Sequence, residues 1–429
     1  MLSRQRLAAL LFPVFLTFAL PHSVCAQSGY EASLLDLKRV FSQQTATAIG
    51  EPFQGIRTSS GVLEGLFPVK STGGSTTELV QAANNFLALL NDAQLSRTHF
   101  AIDDPEWRLW FNVDVGIFAR QGVSLEEMSE AQKTAAWALL SEALSAAGIE
   151  KTRRIMRTEQ ALLDINNEPI RYGEEKYYLT VMGIPSADEP WGFQLDGHHL
   201  VINYFVLGDQ IVMTPAFWGG EPVTTHSGRY AGNIIMQDEQ DLGLALMQSL
   251  SSEQQAVATV ERDKTGNDMI AAANQDNLVL DYQGLPAAQM TSAQRLALLD
   301  LIEVYVGNLR DPHAAVTMEE IGQHLDQTRF SWIGTATDDA IFYYRIHSPV
   351  ILIEFDHQNP SGNPGSQRAR YPNPRPHSFP GAHPQRQRLR QRPAPATFAG
   401  TSSLNCHATA NHQAGFSTPA CGPGLTAWV

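Results

Sequence analysis

The chain has 429 residues, 43% hydrophobic and 17% charged, enough apolar content to bury a core and to exclude wholesale disorder. Its formal charge of −14 is unevenly spread: residues 27–357 hold all 44 Asp and Glu beside 21 of the 30 Lys and Arg, a net of −23. A core that acidic, without a basic stripe, predicts no nucleic-acid partner.

Residues 1–26 read as a secretory signal. Arg4 and Arg6 precede the apolar run Leu7 to Leu20, and Val24-Cys25-Ala26 offers small residues before a cut. The expected location is therefore secreted or periplasmic. No later run reaches the roughly 18 apolar residues that would span a bilayer. Cys406 and Cys421 are the other two cysteines, so residues 27–357, expected to form a single α+β domain, contain no thiol. A transition-metal site there must be built from His, Asp and Glu.

Helical periodicity opens this domain. Leu34, Leu35, Leu37, Val40 and Phe41 mark one amphipathic helix, and Ser75 to Glu78 reads as a capping box opening another through Phe86 and Leu90. Ser129 opens a third, ending at Gly148 as a left-handed stop, and Ile149 to Ile165 continues as a fourth. The centre changes to the period of strands: Trp191 to Leu195, His198 to Leu207 and Gln210 to Phe217, with turns at Asp196-Gly197 and Gly208-Asp209. Helices near 242–250, 252–261, 292–306 and 318–326 follow, then a second meander over 330–333, 341–346 and 350–355. No internal repeat and no Gly-rich phosphate loop stand out. The grouping of helices apart from antiparallel strands predicts an α+β fold.

The strings Trp191-Gly-Phe-Gln-Leu-Asp-Gly-His-His-Leu200, Asn203-Tyr-Phe-Val-Leu-Gly-Asp-Gln210 and Phe342-Tyr-Tyr-Arg-Ile-His-Ser-Pro349 resemble a bacterial family, domain of unknown function 3500, from about residue 55 to 357. The resemblance carries no activity. It implies a C-terminal segment close to HIHxxxRTPNGNDYGxDLLRQH, which this chain lacks. From Gln358 onward there is no Asp, Glu or Lys, but there are seven Arg and eleven of the 24 prolines, a composition that reads as a disordered tail. Pro376 to Phe398 can be encoded so that reading one base later gives HIHSRAHTPNGNDYGNDLLRQH, so the tail reads as frameshifted.

The candidate ligands are His198, His199, His313, His324 and His357, with Asp196, Glu320 and Arg345 as candidate catalytic groups. On a regular strand His198 and His199 point to opposite faces. Glu320 and His324 share a helical face after a second capping box, Thr317 to Glu320. Arg345 pairs with a buried carboxylate such as Glu354 or clamps an anionic substrate. The His-x-His of the restored segment, with a hairpin histidine and His313 or His324, would complete a zinc or copper site, so the chain as written is expected to bind metal poorly. The expected function is a His-ligated, metal-dependent enzyme, most simply a hydrolase acting on a small molecule. The alternative is a periplasmic small-ligand or sugar-binding module whose cleft is lined by Trp107, Trp110, Trp191, Trp218 and Trp332. A Ser-His-Asp hydrolase has little support, because no Gly-x-Ser-x-Gly elbow occurs.

Overall fold

The computed structural model describes residues 22–275, 277–358 and 425–428, with side chains over 31–275 and 277–358. The fold is α+β, as the sequence predicts. Helix α1 (His22–Ile49) and a small hairpin, β1 (Arg57–Thr58) with β2 (Gly61–Val62), precede the main body. There follow α2 (Thr77–Ala88), α3 (Asp92–Leu95), β3 (His99–Phe100), β4 (Val123–Ser124), α4 (Glu130–Ala143) and α5 (Ala146–Asn166). The first meander is β5 (Tyr177–Met182), β6 (Trp191–Gly197) and β7 (Leu200–Leu207), extended by β8 (Gln210–Val212) and β9 (Ala216–Trp218).

Then the order recurs: α6 (Gln237–Ser249), α7 (Ser252–Ala258), β10 (Thr259–Glu261), β11 (Leu285–Pro286), α8 (Ser292–Val306), α9 (Asp311–Gln323), and a second meander of β12 (Arg329–Gly334), β13 (Phe342–His347) and β14 (Leu352–His357). Strand β15 (Leu425–Trp428) lies between β14 and β9 and joins the two halves into one 13-stranded sheet.

This recurrence is an internal repeat that the sequence reading missed. Strand β3 runs parallel to β5 as β10 does to β12, and β4 pairs antiparallel with β5 as β11 does with β12. Gly122-Val-Ser-Leu-Glu-Glu-Met-Ser-Glu-Ala-Gln132 matches Gly284-Leu-Pro-Ala-Ala-Gln-Met-Thr-Ser-Ala-Gln294. The polar contacts repeat too. Gln132 Nε2 donates to Leu89 O and Gln94 Oε1, and Gln294 Nε2 to Ser249 O and Gln254 Oε1. At the junction Leu144 bridges Leu309, flanked by Ser145 N to Asn308 O at 2.9 Å and Arg310 N to Ala143 O at 3.2 Å.

That junction also corrects the stop expected at Gly148. Leu144 leaves α4 in an extended conformation to make the bridge, and Gly148 falls inside α5, against the Asn308 backbone where a side chain has no room. The second capping box fails likewise, because α9 begins at Asp311 and Thr317 lies in mid-helix, donating to His313 O.

Alternation along the strands gives the sheet two unlike faces. Phe193, Leu195, Ile202, Tyr204, Trp332, Tyr344, Ile346 and Phe355 pack with Phe86, Leu139, Leu298 and Leu301 of the helices in the main core. The opposite face carries buried polar groups, among them Gln194, Asp196, Asn203, Arg345, His347, Glu354 and Asp356. Segments 101–122, 262–275 and 277–284 cover it, through Arg120 on Asp196, Trp107 O on Gln194, Lys264 on Asp356, and the Ile270 and Ala271 amides on Glu354. Of the expected tail, Gln358 and 425–428 lie within the described residues, and the latter form β15. The rest of the tail, with the Pro376 to Phe398 segment, lies outside the described residues, as do residues 1–21 of the expected signal.

Candidate metal centre

The β6–β7 hairpin turns one residue pair later than the sequence suggests. Asp196 and Gly197 remain in β6, paired with Val201 and Leu200, and the two-residue turn is His198-His199. Two contacts hold the earlier pair in the strand. Arg120 Nε meets Asp196 Oδ1 at 3.0 Å, and the Tyr177 ring occupies the space where a side chain at Gly197 would lie. His199, the second turn residue, takes the left-handed conformation, φ 60°, which histidine enters more readily than most residues. The regular-strand expectation therefore fails. Instead of pointing to opposite faces, the two imidazoles stack with centroids 3.7 Å apart and planes 25° from parallel.

Against this turn stands the middle of α5. Ile155, Met156, Glu159 and Leu162 share its buried stripe, so the Glu159 carboxylate is carried inward and is 2% exposed. Both carboxylate oxygens lie 2.9 Å from His198 Nδ1. The His199 ring is buried, and its Nδ1 has no hydrogen-bond partner. One donor atom from each of Glu159, His198 and His199 falls within 4.8 Å of the others, and this is the one such group among the described residues.

The surroundings fix these side chains. Tyr177 donates its hydroxyl hydrogen to His198 O at 3.1 Å, and the Tyr172 ring lies 5.8 Å from the His198 ring in a stacked arrangement. His199 N donates to Asn112 O, and Gly219 N, just after β9, donates to His199 O. Asp114 is gripped by Arg171 through Nε at 3.1 Å and Nη2 at 2.8 Å, and accepts Gly116 N. Burial works to raise the Asp114 pKa, but the Arg171 clamp, with the Gly116 amide, outweighs it and holds the carboxyl below its ordinary value.

Burial pushes the Glu159 carboxyl well above the ordinary range, lowers His198 to about 3 and holds His199 well below its usual value. Both rings are thus neutral at physiological pH, the form in which imidazole binds metals. Glu159 is thus held as a neutral carboxyl with no Lys or Arg bonded to it, beside two neutral imidazoles and an orphaned His199 nitrogen, a buried donor set that carries no positive charge. A cation would complete it. The donor set fits a metal ion: two imidazoles and one carboxylate match the three protein ligands of an open zinc site.

The other sequence candidates lie elsewhere. Asp196 is buried against Arg120, with its carboxyl pushed up to about 6 by desolvation. Glu320 pairs with Lys70 at 2.7 Å rather than with His324. His324 is the C-cap of α9, not a helical position, which breaks the expected i, i+4 geometry. His313 is buried on α9 against Gly74, beside a cavity of about 40 Å³ that it shares with Glu320. His357 is fully engaged, through Nδ1 with the Phe342 backbone and through Nε2 with Gln240 Oε1 at 3.1 Å. Arg345 reaches Gln283 Oε1 at 3.0 Å. The residue missed by sequence reasoning is Glu159. Its signal was available, since a carboxylate on the apolar stripe of an amphipathic helix is out of place unless something binds it.

The helices offer no membrane span among the described residues. No curated protein and no solved structure matches the chain. One family model does, over residues 72–377, and by that match the chain belongs to the family described as Protein of unknown function (DUF3500).

Proposed function

We propose that this chain is an exported metal-binding protein whose Glu159, His198 and His199 hold a zinc or copper ion, and that its activity is metal-dependent hydrolysis of a small molecule. The observation that carries the reading is the meeting of those three donors in a buried place where none has a cationic side chain bonded to it. A metal with an open position supplies Lewis acidity and lowers the pKa of bound water. The protein's own contribution is positional. Tyr177 and the Asn112 and Gly219 backbone fix the histidine turn, and α5 fixes the carboxylate. Three of the donors belong to the chain as written, so metal binding does not wait on the restored C-terminal segment. The family match ends at residue 377, one residue after Pro376, where the alternative frame begins to spell the expected motif.

The binding-module alternative has less support, because Trp191, Trp218 and Trp332 lie in the core and Trp110 is also buried, which leaves Trp107 alone of those five partly exposed. The cavity of about 680 Å³ near the β3 edge is lined by His99, Phe100, Ile184 and Pro190 and by no tryptophan. Zinc titration by calorimetry, followed by an assay on ester and phosphoester substrates, tests the proposal. One saturable site lost in Glu159→Gln, with hydrolysis that needs the metal, supports it. Zinc binding unchanged by Glu159→Gln refutes the site, and binding without hydrolysis refutes the activity.

A further inference from the structure

Arg345 is a buried cation that forms no ion pair among the described residues, although its charge is felt by Glu354 across the strand pair. It lies in β13, 2% exposed, and among the described residues its side chain makes one hydrogen bond, to the neutral amide of Gln283, while its Nε has no partner. Glu354, directly across the strand pair, does not bond to it. That carboxylate accepts Ile270 N at 2.9 Å, Ala271 N at 2.7 Å and the Tyr343 hydroxyl at 2.5 Å. Two residues along the same face, His347 is 5% exposed and its Nδ1 also has no partner. The Tyr282 ring stacks on His347 at 4.4 Å, and its buried hydroxyl is unpartnered as well.

The internal repeat shows that the fold itself does not demand this arrangement. Matching the registers of the two meanders places Gln194 at the position of Arg345 and Asp196 at that of His347. In the first half no charge is left unbalanced at those positions: Gln194 donates to Asn203 Oδ1 at 2.6 Å, and the Asp196 charge is met by Arg120, ion-paired at 3.0 Å. In the second half Arg345 and His347 share one face of β13, Tyr282 stacks on His347, and Nε, Nδ1 and a hydroxyl are left unused. Leaving a guanidinium dry and unpaired is costly, and a ligand anion removes that cost.

We propose that Arg345, His347 and Tyr282 form a binding site for a small oxyanion, a carboxylate or phosphate group, entering beside the exposed Gln283. The guanidinium supplies charge and an N–H, and the phenol and imidazole each add one donor. Burial, with the Arg345 charge second, pushes His347 down to about 3, so the ring offers a single N–H rather than a second cation. The site belongs to the second half of the chain and uses none of the residues of the metal centre.

Calorimetry and thermal unfolding of the full chain, with inorganic phosphate or acetate against chloride at matched ionic strength, test this. The expected result is saturable one-to-one binding of phosphate, acetate or both, with a raised Tm, and the comparison of the two identifies the headgroup. Tyr282→Phe should weaken binding roughly tenfold without changing the anion-free Tm. Arg345→Met should abolish binding and leave the anion-free Tm unchanged or higher, because it removes an unpaired buried charge. Glu159→Gln should bind the anion like wild type, which separates this site from the metal centre. Absence of saturable binding to either anion, or wild-type binding in both second-half variants, overturns the proposal. So does a lower anion-free Tm in Arg345→Met, which would mean that Arg345 is already satisfied within the protein.

Discussion

Leu144 and Leu309 form an antiparallel bridge at the junction of the two repeated halves, each just past the end of a helix and just before the next. The hydrogen bonds on either side, Ser145 N to Asn308 O and Arg310 N to Ala143 O, exchange equivalent positions of the two halves. The halves therefore share structural requirements, and paired substitutions should behave alike. Gly122 and Gly284 have φ of +87° and +91°, and an added side chain at each would strike a backbone carbonyl, Leu179 O or Phe330 O. Gly122→Ala and Gly284→Ala should each destabilise by about 2 kcal/mol or more. Chemical denaturation of both variants checks this, and a neutral result at either glycine would contradict the equivalence.

The same repeat shows what the sequence allowed and what it hid. The two Gly-to-Gln strings are visible side by side, yet the spacing of everything after them differs, because α5 spans 21 residues and α9 only 13. A fixed-period search fails on that difference. The places of β6, β7, β12, β13 and β14 and the Gly208-Asp209 turn were legible from alternation and turn chemistry, whereas β5 went unseen and the single strand expected over Gln210 to Phe217 is two, β8 and β9. The true histidine turn was not legible, because Asp196-Gly197 is a better local turn signal. It is overridden by tertiary contacts, Arg120 on the aspartate and the Tyr177 ring over the glycine. Glu159 was hidden for another reason: its partners lie 39 residues away on a different element.

Lys264 and Asp356 meet at 2.9 Å with side chains 3% and 0% exposed. Lys264→Met removes one partner and leaves a buried carboxylate, which should cost about 3 kcal/mol. Adding Asp356→Asn should recover part of that loss. Urea unfolding of the single and double variants measures it, and a double variant less stable than the sum of the singles would contradict the pairing.

His357 is buried and neutral, its pKa lowered to about 4 chiefly by desolvation, against about 6.5 in an unfolded chain. Its folded pKa lies below its unfolded one, so the contribution to stability is present above pH 6.5 and is lost as pH falls toward 4. Asp356 runs the opposite way. Desolvation raises it to about 6, so its contribution is present below about pH 4 and lost as pH rises through 6. His357→Leu should therefore flatten the loss of stability on acidification between pH 6.5 and 4, by up to about 1.4 kcal/mol per pH unit. Denaturation midpoints at intervals across that window check it, and an unchanged pH slope would contradict the burial argument.

Strand β15 is the link between β14 and β9. Ending the chain after residue 424 removes it and exposes two strand edges, which should lower solubility and promote aggregation. Light scattering of the shortened and full-length proteins at equal concentration decides the matter. Equal solubility would mean that the two halves hold together through the Leu144–Leu309 junction and the helical core alone.

The central claim is that Glu159, His198 and His199 bind one metal ion. Elemental analysis joined to X-ray absorption of the protein purified from zinc- and copper-supplemented cultures tests it most directly. The predicted result is about one ion per chain, coordinated by two imidazole nitrogens and a carboxylate oxygen, and lost in both Glu159→Gln and His199→Ala. Trace metal in the folded wild-type protein, or a full ion retained in both variants, would contradict it.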